Sequence, residues 1–368
     1  MLIRCIAVTR ASELAMNLKR AMCVAAAALL SELSFAAQSD PPSSATTFAI
    51  HDYTPDFWKF WKAAQGQPVE LQAQLWQQQY VAAHKAVFDD LAAPCKDQFD
   101  PAWSRANYFT DLPRVVPAIR ALVTGLTAQL EQANGRFLEM FPDMSWSGDV
   151  YVMASGYCFN GRAQTVRGRS AMLFGVDAMA ALGQKDLIPT MQHELFHRYH
   201  GEFFDFEASS AYPLWTVLWA EGMATYVSKR LNPSASEIDL AMIPLGMVRR
   251  VDERRAELAA ELLRRFESTA EKDATLFFND ANSKDPVIPA RAGYQLGVLV
   301  VTELSKRHSI QTMAHWSQAE AKPKVRAALE RIAGAPAVAA SQRRAGSLGC
   351  FVPCEASLVE PFGRTTGP

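Results

Sequence analysis

Three of the chain's seven histidines fall in one stretch of ten residues, MQHELFHRYH (191–200). His193, Glu194 and His197 spell H-E-x-x-H. Four residues along a helix turn through about 40° and rise about 6 Å. Two imidazoles at that spacing leave from one face and can hold one ion. Glu194 is turned about 100° from His193, close enough to reach a water on that ion without being a ligand itself. The spacing therefore suits Zn2+ and an activated water. An amphipathic helix carrying solvated histidines is the bland alternative.

A catalytic zinc takes three protein ligands and keeps one position open. His200 shares the helix face, but it lies about 10 Å along the axis from His193. It suits a contact to substrate or to a ligand better than a bond to the metal. Phe203 stands where the longer pattern H-E-x-x-H-x-x-G-x-x-H needs a third histidine, so that pattern fails. Glu202 and Glu207 lie too close in the chain to fold back. Glu221 lies 24 residues beyond His197, and an antiparallel helix would bring it to the same ion. The expected ligands are His193, His197 and Glu221.

The elements that must position these residues are legible in outline. The segments 53–95 and 112–141 read as helical, the second with a proline near its start. Trp58, Trp61, Trp76 and Tyr80 are expected in a core. The period then changes to short strands at 149–157, 162–168 and 170–176, with Asn160-Gly161 as a turn between the first two. Helices follow at 186–204, with Pro189 in the first turn, and at 212–231, stopped by Asn232-Pro233. More helices are expected within 235–270, 294–308 and 323–333. Helices, then a small sheet, then helices make an α+β fold, predominantly helical, with the sheet packed on the H-E-x-x-H helix. The expected organisation is a signal peptide (1–36), an N-terminal helical region (37–145), a catalytic core (146–333) and an irregular tail (334–368).

HELFH followed by WAEGMATY (219–226) resembles the gluzincin metallopeptidases, the thermolysin-like group whose third ligand is a glutamate on a later helix. The sequence E-G-x-A at Glu221 is similar to the aminopeptidase branch. The style of the whole stretch resembles uncharacterised bacterial proteins predicted to be zinc-dependent proteases. The likeness spans about 150–308 and does not reach 37–145. It implies a zincin-like core, followed by a helical subdomain, and hydrolysis of peptide bonds with Glu194 as general base. YQLGVLVVTEL (294–304) is similar to the Y-x-x-G segment of such enzymes. That implies Tyr294, or else His200, as donor to the oxyanion, and Arg291 as a further candidate for gripping a substrate carboxylate. Thr225 stands where thermolysin-like chains carry an aspartate, so the group orienting the histidines is unassigned. A catalytically silent scaffold that binds peptides or the cell envelope, and a zinc hydrolase of non-peptide substrates, stay open beside the peptidase.

Composition narrows the partners. The chain has a net charge of −1 and is 49% hydrophobic and 20% charged, as in folded globular proteins. No basic stretch alternates with aromatics, so nucleic acid is not an expected partner; a peptide or protein substrate is. MNLKR, the short apolar run AMCVAAAALL and the small residues Ser34 and Ala36 read as an export signal cleaved after Ala36. The run is too short for a stable membrane span. The expected destination is the periplasm or the medium, although a buried N-terminal helix is the alternative. Four cysteines remain after such cleavage, enough for two disulfides. Cys95–Cys158 with Cys350–Cys354 is the preferred pairing, against unpaired buried thiols.

Overall fold

The structure is a computed structural model, and residues 48–205, 212–279 and 287–334 are described. The export signal, residues 37–47 of the polar linker expected over 37–48, and the Cys350–Cys354 pair lie outside the described residues. The fold is α+β and mostly helical, with one four-stranded mixed sheet.

The sheet contains β1 (Phe48–Asp52), β2 (Gly148–Met153), β3 (Gly161–Val166) and β4 (Arg169–Gly175), in the order β1-β2-β4-β3. β2 pairs in parallel with both β1 and β4, while β3 pairs antiparallel with β4. Every residue of β2 is buried, as expected of a strand paired on both sides and covered on both faces. Two readings from sequence are corrected. Phe48–Asp52 is a strand that starts where a linker was expected; its partner lies about a hundred residues away, so nothing local announces it. Asn160-Gly161 does not join neighbouring strands, because β4 lies between β2 and β3. The hairpin turn is Arg167-Gly168, with both residues left-handed at φ 51° and 76°. Those signs suit the twist of a two-residue hairpin.

Between β1 and β2 come α1 (Thr54–Ala64), α2 (Phe109–Leu122) and α3 (Leu126–Met140), with shorter helical segments between the first two. The helix expected over 112–141 is two helices. Gly125, at φ 69°, turns the chain between them, a conformation that glycine adopts without steric cost. Trp61, Trp76 and Tyr80 are buried as expected, and Trp58 is partly covered by the Arg120 guanidinium at 4.4 Å. The N-terminal helices and the segments after 146 share one continuous hydrophobic core. The expected boundary at 145 therefore runs through a single sheet and a single core.

After the sheet come α4 (Val176–Ala181), α5 (Ile188–His200) and α6 (Leu214–Leu231). Pro189 sits in the first turn of α5, where its missing N–H costs little. Met191, Leu195, Phe196 and Tyr199 point inward and anchor that helix. α6 is buried nearly all round, which makes it the central helix. Shorter helices at Met247–Glu253, Arg255–Arg264 and Glu271–Phe278 precede α7 (Ala292–Leu304) and α8 (Gln318–Gly334). Among the described residues no helix is long and apolar enough to cross a membrane.

Candidate metal centre

α5 and α6 run antiparallel. The Ser228 hydroxyl donates to the Pro189 carbonyl at 2.7 Å, and the Asn232 amide donates to Gln192. These bonds tie the end of α6 to the start of α5. The middle of α6 is thereby set across the middle of α5, and Glu221 meets His193 and His197. The Glu221 Oε2 atom lies 3.2 Å from His193 Nε2 and 3.7 Å from His197 Nε2, and the two Nε2 atoms are 3.0 Å apart. His193, His197 and Glu221 are the only group of three or more metal-binding side chains that converge in this way among the described residues.

Those distances fit a metal ion. Bonds of 2.0–2.1 Å at tetrahedral angles put neighbouring ligand atoms about 3.4 Å apart. The three observed separations bracket that value. The donors, two imidazole nitrogens and a carboxylate oxygen, are those of a catalytic zinc. The three side chains keep 13%, 18% and 14% of their surface, so the cluster opens to solvent and is not sealed as a structural site would be. Burial alone would push the Glu221 pKa up, but the two imidazoles outweigh it and hold the carboxyl well below its ordinary range. Burial alone would push His197 down, but the Glu221 carboxylate outweighs it and raises the imidazole.

Glu194 follows His193 on α5, and its charge acts on His197. An atom in the Cβ position at Gly161, the first residue of β3, would lie 2.7 Å from Glu194 Oε1. Only a hydrogen there lets the carboxylate lie against the edge strand. Arg198, one turn beyond Glu194, donates to the Ala171 carbonyl of β4 at 3.0 Å and fixes α5 to the sheet. The approach to β3 is held as well. The buried Asp177 carboxylate accepts the backbone N–H groups of Ser155, Gly156 and Tyr157 at 2.7, 2.8 and 3.2 Å. The Cys95–Cys158 disulfide, as the sequence led us to expect, pins the same loop to the N-terminal helices.

His200 is fully buried, against Phe196 at 5.2 Å and Phe204 at 4.9 Å between ring centroids. Burial pulls its pKa down to about 3, so the ring is neutral at any ordinary pH. It is outside the converging group. Thr225 is also fully buried, one turn beyond Glu221, and its hydroxyl has no hydrogen-bond partner among the described residues.

Sequence reasoning placed three glycines in motifs but missed what they touch. Besides Gly161, these are Gly222 on α6 and Gly297 on α7. An atom in the Cβ position at Gly222 would lie 2.6 Å from the Gly297 Cα, and one at Gly297 would lie 2.5 Å from the Gly222 Cα. The two helix backbones touch there, immediately beside Glu221. Tyr294 lies one turn before Gly297 on α7, with its ring against Phe278 at 5.6 Å. Glycine inside a helix costs about 1 kcal/mol relative to alanine, and that cost was the available signal.

Compared with models of protein families, with curated proteins and with solved structures, the chain matches none.

Proposed function

We propose that this chain is a zinc-dependent hydrolase with a zincin-like core, and that it cleaves peptide bonds. The observation that carries the reading is the convergence of His193, His197 and Glu221 on one point, with Glu194 next to His193 on the same helix. A zinc ion held by those three side chains would polarise a carbonyl and make water acidic near neutral pH. Glu194 is not a ligand and is free to take a proton from the attacking water. It then passes that proton to the leaving amine. Tyr294 is the candidate donor to the developing oxyanion. Gly161 and the start of β3 flank Glu194, so an extended peptide could add to this sheet edge and lie along the site.

Export to the periplasm or medium is part of the same proposal. The Cys95–Cys158 bridge supports it, since disulfides persist in oxidising compartments.

The test is Glu194→Gln. The variant should retain zinc, measured by atomic absorption, because no ligand is removed. Its turnover of a broad peptide library should fall by about 10²–10⁴-fold. Turnover equal to the parent would remove Glu194 from the role of base, and a parent that cleaves no peptide while holding zinc would overturn the peptidase reading.

A further inference from the structure

The chain between α7 and α8 forms a strap that touches both helices carrying the candidate ligands. It contains a short helix, Ile310–Ala314, followed by His315 and Trp316. His315 meets α5. Its Nε2 lies 2.7 Å from the Tyr199 hydroxyl oxygen and 3.1 Å from Asp143 Oδ2. The Tyr199 hydroxyl is itself 2.9 Å from both Asp143 oxygens. Trp316 meets α6. Its ring stacks on that of Trp219, with 5.7 Å between centroids and 17° between planes. Trp219 in turn lies 6.3 Å from the His200 ring of α5. These contacts close a ring, from α5 to α6 through His200 and Trp219, from α6 to the strap through Trp316, and back to α5 through His315 and Tyr199.

Tyr199 lies two residues after His197, and Trp219 lies two residues before Glu221. Two residues along a helix turn a side chain through about 200°. The strap therefore holds each helix by a face other than the one that carries its ligand. It can act on the ligands only through where the two helices sit. Trp316 and Trp219 are 6% and 0% exposed, so a change of ring volume there must be taken up by movement of neighbours. The strap is also tied to the N-terminal helices, since Gln311 donates to the Met140 carbonyl at the end of α3 at 3.0 Å. We propose that His315 and Trp316 are positioning residues for the metal centre, which together fix the spacing of α5 and α6 on which the convergence of His193, His197 and Glu221 depends. The role rests on the metal reading of that cluster. A strap that favours the metal-competent spacing must, by linkage, be favoured by metal in return.

The experiment reads zinc affinity separately from stability. The full chain is titrated with zinc against a chromophoric chelator, and its urea unfolding is followed without metal. His315 is 43% exposed on its side chain, so it can be replaced without opening the core. His315→Ala should lower zinc affinity about 2–30-fold, the range for residues that act on a site without touching its ligand. His315→Gln, whose amide can donate to Asp143, should restore most of that loss. Combining His315→Ala with Trp316→Phe should lower the affinity further. Phe57→Leu, a change in the buried face of α1, is the control and should cost stability while zinc affinity stays at the parent's value. Unchanged zinc affinity in the double variant, or a fall no greater than the control shows for the same loss of stability, would overturn the assignment. If the double variant fails to fold, amide exchange in the parent decides. Zinc should slow exchange at Met313, His315 and Trp316, whose N–H groups are bonded within the strap, more than it does in α1. Equal slowing in both places would count against the strap. A parent that takes up no zinc would remove the metal reading and the strap's role with it, whereas indifferent variants of a zinc-binding parent would remove the strap's role alone.

Discussion

Glu221 faces two imidazoles in a largely buried setting, so protons and the proposed metal ion would compete for the same three side chains. Without metal, the carboxylate raises the His197 pKa, and the ring holds its proton to a higher pH than usual. The stabilisation from that pair is fully present below the unfolded histidine pKa and is lost as pH rises through the raised folded value. Zinc needs the neutral ring. Zinc affinity should therefore fall as pH drops through the raised His197 value, and binding should release protons. Competition with a chromophoric chelator from about pH 8 to about pH 5 reads this directly; a flat affinity would mean that His197 is not a ligand. Glu221→Ala removes one donor of three and leaves the imidazoles without their carboxylate. Zinc affinity should fall by more than the roughly 10–100-fold that follows loss of an outer hydrogen-bond partner. Undiminished occupancy would point to another third ligand.

At the scale of elements, the site depends on how α5, α6 and α7 meet. Glu221 is aimed by α6, and α6 is seated on α7 through the Gly222–Gly297 backbone contact. Gly222→Ala puts a methyl group where Gly297 backbone atoms already stand, so the helices must separate. The cost should be about 1–3 kcal/mol of stability. Because Glu221 is the adjacent residue, zinc affinity should fall as well; urea unfolding and a zinc titration on the same variant measure the two effects. A loss of stability with unchanged zinc affinity would place the ligand's aim elsewhere than in this contact. The sequence made some of this legible. His193, Glu194 and His197 could be read because their relation is local, set by one turn of one helix. Glu221 could be reached because the helix over 212–231 has a clear stop at Asn232-Pro233 and lies within reach of an antiparallel return. The glycine contacts could not be read, since a glycine in a helix announces a close approach without naming its partner. β1 escaped for a related reason, as a five-residue strand whose register is set by β2 across all of the N-terminal helices. Arg167 was missed at the hairpin turn because a left-handed arginine is uncommon and carries no signal of its own.

For the whole molecule, the Cys95–Cys158 bridge links the N-terminal helices to the loop that delivers β3 to Glu194. The cysteines are 63 positions apart. Closing a loop of that length removes about 4 kcal/mol worth of freedom from the unfolded chain. The proposed metal ligands are on α5 and α6, which hold each other through Ser228–Pro189 and Asn232–Gln192 without help from the bridge. Stability and metal binding should therefore separate. The Cys95→Ala/Cys158→Ala double variant should unfold at markedly lower denaturant while still taking up zinc at neutral pH. Peptide binding should weaken more than zinc binding, because the loop before β3 would keep its Asp177 anchor but lose its tie to the N-terminal helices. Denaturant unfolding, zinc content and peptide affinity on the one variant decide the matter. A parallel loss of all three would mean that the bridge organises the metal ligands themselves, and that the N-terminal helices and the site form one cooperative unit.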